Sequence, residues 1–437
     1  MPLKLRLFLG LWSAVWTFGL PLILAYLFRR ARKDTLYSGH LAERFGRYKT
    51  RAPGAVWIHA VSLGEFRSAV PLARAFLERG ERLVITCFTP AGRREAEKVF
   101  ALERAEGRVH VVWVPLETAW AYRGFFRAFA PKFGLVMEIE IWPRMVFAAR
   151  AAGVPLFMCN AQYPTKAIAR DNGGLRLRQA VMRGFAGAFV KSQLQADRFA
   201  AVGVQNIAIT GELRFEQPIP PALLEAAAVA RPALGLAERR VIAFASTVEG
   251  EDETFLSAMR SLSQGADKPF FIYVPRKPER FGDCGALLEA AGFSVARRST
   301  ALPKVLDGHA QFTAPTPLPD VLLGDSLGEM YFYLALADAV VVGGGFTPKG
   351  AHNIIEPLAL KKPVLTGPEI WTIEYPFTEA EAAGVARRVK DAAELAKALA
   401  GPDQPTPAQI EHFFADHAGG VDRFFAALPG VLANARR

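Results

Sequence analysis

Three carboxylates follow apolar, β-branched runs: Glu65 in WIHAVSLGE, then Glu138 and Glu140 in MEIEIWP. A carboxylate so placed can take a proton from a hydroxyl as a new bond forms. Further along, Ser246 and Thr247 follow VIAFA, Arg276 and Lys277 follow FFIYVP, and GGGFTPKGAHNIIEP (residues 343–357) follows ADAVVV. Basic side chains, and the backbone N–H groups of a glycine-rich turn entering a helix, are suited to anions, so the second half of the chain reads as a holder of something phosphorylated. Its glycine spacing is neither the dinucleotide fingerprint nor the Walker loop. Plainer readings stand beside these: a tight turn for the glycines, a helix-dipole partner for Glu65, a solvating strand-end charge for Glu138, and a surface ion-pair cluster for Arg276, Lys277 and Glu279.

Other chemistries are disfavoured. The seven histidines are scattered, no His/Cys/carboxylate grouping has metal-ligand spacing, and no Asp-x-Asp pattern offers to hold a metal on a diphosphate. Gly-x-Ser-x-Gly is absent, and no Gly-x-Gly-x-x-Gly follows the first strand. Cys87, Cys159 and Cys284 are odd in number and far apart, which suits a reducing compartment rather than a disulfide framework. A formal net charge of +11 favours an anionic partner, either acidic lipid or a phosphorylated substrate. Nucleic acid is not expected, because no zinc-finger spacing, RNP signature or lysine-rich tail is present.

The elements that must position these residues alternate regularly. Runs such as AVWIHA, RLVITCF, VHVVWVP, KFGLVMEIE and VPLFMCNA are separated by amphipathic helical stretches, and a second series begins near Arg239. At 437 residues two domains are expected. The proline-rich EQPIPPALLEAAAVARPALG marks the boundary, giving domains at 34–218 and 219–406 and a final helical segment at 407–437 that folds back toward the first. Two doubly wound, Rossmann-like α/β domains constitute the glycosyltransferase-B architecture, with ligands beyond the carboxyl ends of the strands in a cleft between them. At period two, Glu138 and Glu140 are expected to share one side of their strand.

Residues 1–33 form a separate segment. Leu7 to Phe28 is uncharged and long enough to cross a bilayer, Pro21 can kink it, and Arg29, Arg30, Arg32 and Lys33 outweigh Lys4 and Arg6 in front. The expectation is an uncleaved single-pass anchor with the bulk of the chain on the cytoplasmic side, a cleaved signal peptide and a helix lying in the interface being the alternatives. Because it precedes the first strand, its removal is expected to leave a folded body.

WIHAVSLGE, TPAGRRE, MEIEIWP, CNAQ, TGELRFE, ASTVEGE, VPRKPERF, LLGDSLGEM and GGGFTPKGAHNIIEP, in this order, resemble the motifs of the Kdo transferases of lipopolysaccharide synthesis over nearly the whole length. Those enzymes move 3-deoxy-D-manno-octulosonic acid (Kdo) from CMP-Kdo to a lipid A precursor. The resemblance implies an inner-membrane, metal-independent, inverting transferase without a cofactor. It assigns Glu65 as catalytic base and Glu138 and Arg214 to the transition state, Arg214 standing where the family usually has lysine. It assigns CMP contacts to Pro275 and Arg276, to Leu327, Gly328 and Glu329, and to Asn353, Ile354, Ile355 and Glu356, with the phosphate at the glycine loop and Glu356 near the ribose.

The chain also departs from that pattern. Val248 replaces a usual His, Gln162 an Arg and Ala351 a Gly, while NIIE stands for Asn-Pro-Leu-Glu and Glu369 for the His of Gly-Pro-His. These changes concern the acceptor or the sugar more than the donor nucleotide. They leave open a same-fold transferase using a related sugar acid or a different acceptor, and a non-catalytic membrane-bound member.

Overall fold

The computed structural model describes residues 3–265 and 267–435. The chain divides into two compact units, residues 1–217 with 418–437, and residues 218–417.

The first unit holds β1 (Val56–Ala60), β2 (Leu83–Cys87), β3 (Val109–Trp113), β4 (Gly134–Met137), β5 (Leu156–Ala161), β6 (Gly187–Val190) and β7 (Ile207–Ile209). They form one parallel sheet in the order β3-β2-β1-β4-β5-β6-β7. The central strands are buried on both faces, which accounts for their unbroken apolar runs. Alternate side chains serve different cores: Val56, Ile58 and Ala60 join one cluster, Trp57 the other. His59 is a core histidine, its Nδ1 2.9 Å from Thr86 Oγ1 and its acidity shifted by burial to about 3.

The second unit holds β8 (Val241–Thr247), β9 (Phe270–Pro275), β10 (Val295–Arg297), β11 (Val321–Leu323), β12 (Ala339–Val342), β13 (Val364–Thr366) and β14 (Ala386–Arg388). Their order is β10-β11-β9-β8-β12-β13-β14, again parallel throughout. In each sheet the connections reverse direction beside the first strand, between β1 and β4 and between β8 and β12. A doubly wound sheet opens a crevice at such a switch point. Glu65 and Glu138 follow β1 and β4; Thr247 ends β8, and the glycine loop follows β12.

Three expectations are corrected. The N-terminal apolar stretch is not one spanning helix: α1 (Leu3–Phe18) and α2 (Leu20–Ala31) meet at Gly19 with a bend of 53°, and neither alone is long and apolar enough to cross a membrane. Nor does α1 stand apart from the body. Leu5 and Leu9 are buried in the cluster of Trp57 and Tyr122, each worth about 1.5–3 kcal/mol. Trp12 Nε1 donates to Glu117 at 2.9 Å, and the Arg144 guanidinium donates to Leu9 O at 2.9 Å and to Ser13 Oγ. The segment after Pro407 is likewise two helices, Pro407–His417 in the second unit and Gly420–Ala435 in the first.

Candidate active site

Glu65 occupies the third position of helix Leu63–Glu78, whose N-cap is Ser62. Glu65 N donates to Ser62 Oγ at 3.3 Å, while the Glu65 carboxylate accepts from Ser62 Oγ at 2.9 Å and Val61 N at 2.7 Å. This is a capping box reaching one residue further back than usual. It fixes the carboxylate just beyond β1. Burial, then the charge of Glu140, raise its pKa to about 7 against the opposing bonds from Val61 and Ser62. The local role read as the plain alternative for Glu65 is therefore real, and it also holds a base poised near neutral pH.

Glu138 is not a strand residue. β4 ends at Met137 and Glu138 takes φ +58°, a left-handed conformation costly for a side-chain-bearing residue. The expected alternation with Glu140 is broken there, and Glu140 instead accepts Trp142 Nε1 at 2.7 Å. Glu138 Oε1 accepts from Asn160 Nδ2 and from Arg214 Nη2, each at 3.1 Å, and Oε2 from Lys191 Nζ at 2.8 Å. Glu212 completes the group, its Oε2 2.7 Å from Lys191 and its Oε1 2.7 Å from Asn160 Nδ2. Burial pushes the Glu212 carboxyl up, but Lys191, Arg214 and Asn160 outweigh that and hold it below its ordinary value. Asn160 sits at φ +52° where the β5–β6 register shifts. The structure thus brings Glu138 and Arg214 together and adds Lys191, Glu212 and Asn160. Lys191 directly follows β6, so the strand-end rule applied to that strand finds it.

In the second unit the glycine loop is occupied differently from expectation. The carboxylate of Glu251, itself buried, accepts from Val248 N at 2.8 Å and from Gly344 N at 2.8–2.9 Å. The Gly344 amide is therefore not available to a phosphate. The glycines answer to close packing: a Cβ on Gly343 would lie 2.5 Å from Glu251 Oε1, and Gly344, at φ +91°, would meet Gly350 O at 2.3 Å. Burial raises the Glu251 pKa to about 7, opposed by the amides of Val248, Gly344 and Phe346.

Around this loop the assigned residues fall into two kinds. Arg276 has an exposed side chain in no ion pair among the described residues, and its N–H donates to Thr247 O at 2.9 Å. The surface ion-pair reading therefore does not hold for it. His352 is carried down to about 4 by burial and by Arg276. Pro275, Ile354 and Ile355 are buried, Ile354 completely. Asn353 Oδ1 accepts from Ile355 N at 3.0 Å, starting the short helix that carries Glu356. Leu327 is 72% exposed and Gly328 sits at φ +84°. Glu329, assigned to CMP, is engaged by Arg298 through Nη2 at 2.7 Å and Nε at 2.8 Å, and by Ser326 Oγ. Its carboxylate braces the loop. Among the described residues no group of three or more His, Cys, Asp or Glu is placed to hold a metal ion.

The family profile described as 3-Deoxy-D-manno-octulosonic-acid transferase (kdotransferase) matches residues 39–217. A 3-deoxy-D-manno-octulosonic acid transferase from Bordetella pertussis is 38% identical over 428 residues, 94% of this chain and 96% of that one. The chain belongs to the 3-deoxy-D-manno-octulosonic acid transferase family. The Haemophilus influenzae transferase is 30% identical and covers 79% of each chain. Among solved structures, a Listeria monocytogenes protein titled a putative UDP-N-acetylglucosamine 2-epimerase aligns with TM-score 0.58 at 15% identity, over 87% of this chain and 96% of its own. That likeness is one of fold: two parallel-sheet α/β domains, as the glycosyltransferase-B expectation requires of each half. In this Kdo transferase family member Glu65, Glu138, Arg276 and Glu356 all come after the carboxyl end of a strand, Glu65 and Glu356 in the first turn of the helix that follows.

Proposed function

We propose that the chain transfers Kdo from CMP-Kdo to a lipid A precursor (lipid IVA) at the cytoplasmic face of an inner membrane, with inversion and without metal or cofactor. The observation that carries this reading is Glu65, a half-buried carboxylate fixed beyond β1 with an acidity near 7, where a general base works best. Glu65 takes the proton of an acceptor hydroxyl. The freed oxygen bonds to the ketosidic carbon of Kdo while the bond from that carbon to the CMP phosphate oxygen breaks, and CMP departs with the electron pair. The reacting carbon passes through an oxocarbenium-like state. The Glu138 carboxylate offsets its positive charge, and Arg214, bonded to Glu138, lies ready for the anionic groups.

On the donor side Arg276 takes the CMP phosphate, Asn353 and Glu356 hold the nucleoside, and the 327–329 turn adds backbone contacts. Incubation with CMP-Kdo and tetraacylated lipid A precursor in excess EDTA, followed by mass spectrometry of the lipid, tests the reading. Addition of Kdo is expected. No adduct, or activity restored only by magnesium, overturns it; an adduct formed only with another sugar acid or acceptor selects the reading suggested by Val248 and Gln162.

A further inference from the structure

Glu140 lies in the turn between β4 and helix Pro143–Ala151, outside any strand or helix that would fix it. Its anchor is Trp142, whose Nε1 donates to Glu140 Oε2 at 2.7 Å. Trp142 is itself fixed twice. Its backbone is the N-cap of helix Pro143–Ala151, the carbonyl accepting from Val146 N at 3.1 Å, and Pro143 begins the helix with its φ already set. Its ring stands nearly perpendicular to those of His59 and Phe88, with centroids 5.6 and 5.4 Å away and angles of 78° and 73°.

His59 is a rigid abutment for that ring. An indole N–H only donates, so Thr86 Oγ1 accepts from Trp57 Nε1 at 2.8 Å and gives its own hydrogen to His59 Nδ1 at 2.9 Å. The imidazole proton therefore sits on Nε2, which is buried and has no hydrogen-bond partner among the described residues. A perpendicular indole is the arrangement in which such an N–H meets a π face. Burial carries the His59 pKa down to about 3, so this contact brings no charge to the site near neutral pH.

The ionisable groups around Glu65 come from several elements. Glu140 and Glu138 follow β4, and both act on Glu65 as like charges. Cys87 ends β2, its thiol pushed up by burial to about 12. Arg93, on helix Pro90–Val99, is taken by Glu43 and Glu97, and Arg214 is bonded to Glu138. The two acids differ in their partners. Glu138 is offset by Lys191 and Arg214, whereas the indole that holds Glu140 is uncharged and leaves its charge in force.

We propose that Trp142 is a positioning residue of the transfer step: braced by His59 and Phe88, it keeps the Glu140 carboxylate in place as a fixed, unneutralised charge acting on Glu65. This rests on the reading of Glu65 as the base. Trp142→Phe keeps an aromatic wall and deletes the donor, so Glu140 turns toward water and its charge reaches Glu65 through a higher dielectric. Glu65, now raised to about 7 by burial and by Glu140, should then titrate at lower pH. The test follows the full chain, labelled with carbon-13 in its glutamate carboxyls, by NMR across pH, with Glu65→Gln identifying the Glu65 signal. Trp142→Phe should move the Glu65 midpoint, and the rising limb of the pH–rate profile, to lower pH by no more than Glu140→Gln does. In a Glu140→Gln background it should move neither further, because one residue acts through the other. A midpoint unmoved by Trp142→Phe, or moved equally in both backgrounds, overturns the inference. If Trp142→Phe does not fold, the indole N–H signals of the seven tryptophans decide instead. Glu140→Gln should displace one of them, and no displacement overturns the bracket. If wild type transfers no sugar while the titrations behave as expected, the proposed reaction fails and the bracket on Glu65 remains.

Discussion

Lys191 is wedged between two carboxylates, with Nζ 2.8 Å from Glu138 and 2.7 Å from Glu212, and its side chain is almost wholly buried. One cation thereby holds together a pair of acids that would otherwise repel. Lys191→Met is expected to lower stability by about 3–5 kcal/mol, since it leaves buried charges uncompensated. The pH dependence has a defined sign. Glu212 is held below its ordinary value of 4.5, so its contribution is present above that pH and is lost as pH falls through the lower folded value. Denaturant melts of wild type and Lys191→Met across the acid range should differ most above pH 4.5. Parallel curves would contradict the role given to Lys191.

Glu65→Gln should cut transfer by about 10²–10⁴-fold while CMP binding persists. Because burial and Glu140 raise the pKa of Glu65 to about 7, the wild-type rate should rise as pH passes through neutrality. Glu140→Gln removes one of the charges responsible and should move that limb to lower pH. A pH–rate profile unmoved by Glu140→Gln would mean that another group sets it.

The two doubly wound halves and their strand-end loops were legible because parallel strands buried on both faces read as continuous apolar runs. Glu65 and Arg276 could be ranked from such positions alone. The pairing of Glu138 with Lys191, Glu212 and Asn160 was not legible, because it joins the ends of different strands and depends on left-handed turns at Glu138 and Asn160 that hydrophobic periodicity does not register. The glycine loop misled for a related reason: glycine spacing does not say which carboxylate the loop amides will meet, and Glu251 comes from an adjacent strand's loop. The apolar N-terminus met the length criterion for a span, but hydropathy does not distinguish a helix facing lipid all round from one docked along one face.

Glu251→Ala should destabilise the second unit, by about 1–3 kcal/mol for each amide left unpaired, and should weaken CMP binding through the loosened glycine loop. Differential scanning calorimetry and CMP titration on one preparation check both. Full stability together with wild-type CMP affinity would remove the bracing role.

Arg276→Ala should weaken CMP by at least about tenfold and leave cytidine binding nearly unchanged, because a charge-assisted contact to phosphate is worth about 1.5–3 kcal/mol. Val248→His should alter CMP affinity little. Titration calorimetry with both ligands decides the assignment, and equal affinity of wild type for CMP and cytidine would sink it.

Helix Gly420–Ala435 contributes Val421, Phe424 and Val431 to the core that also holds Phe76, Phe157 and Phe189. The first unit is therefore split in sequence, with the contiguous second unit inserted between its parts. On the ribosome the leading 217 residues emerge with an apolar socket that their own sequence cannot fill, and they must wait for another 200 residues before the plug arrives. The inserted unit can complete its own core sooner, so order of synthesis and order of completion run in opposite directions. During that interval the uncovered aromatic surface is where a holding chaperone would be expected to bind.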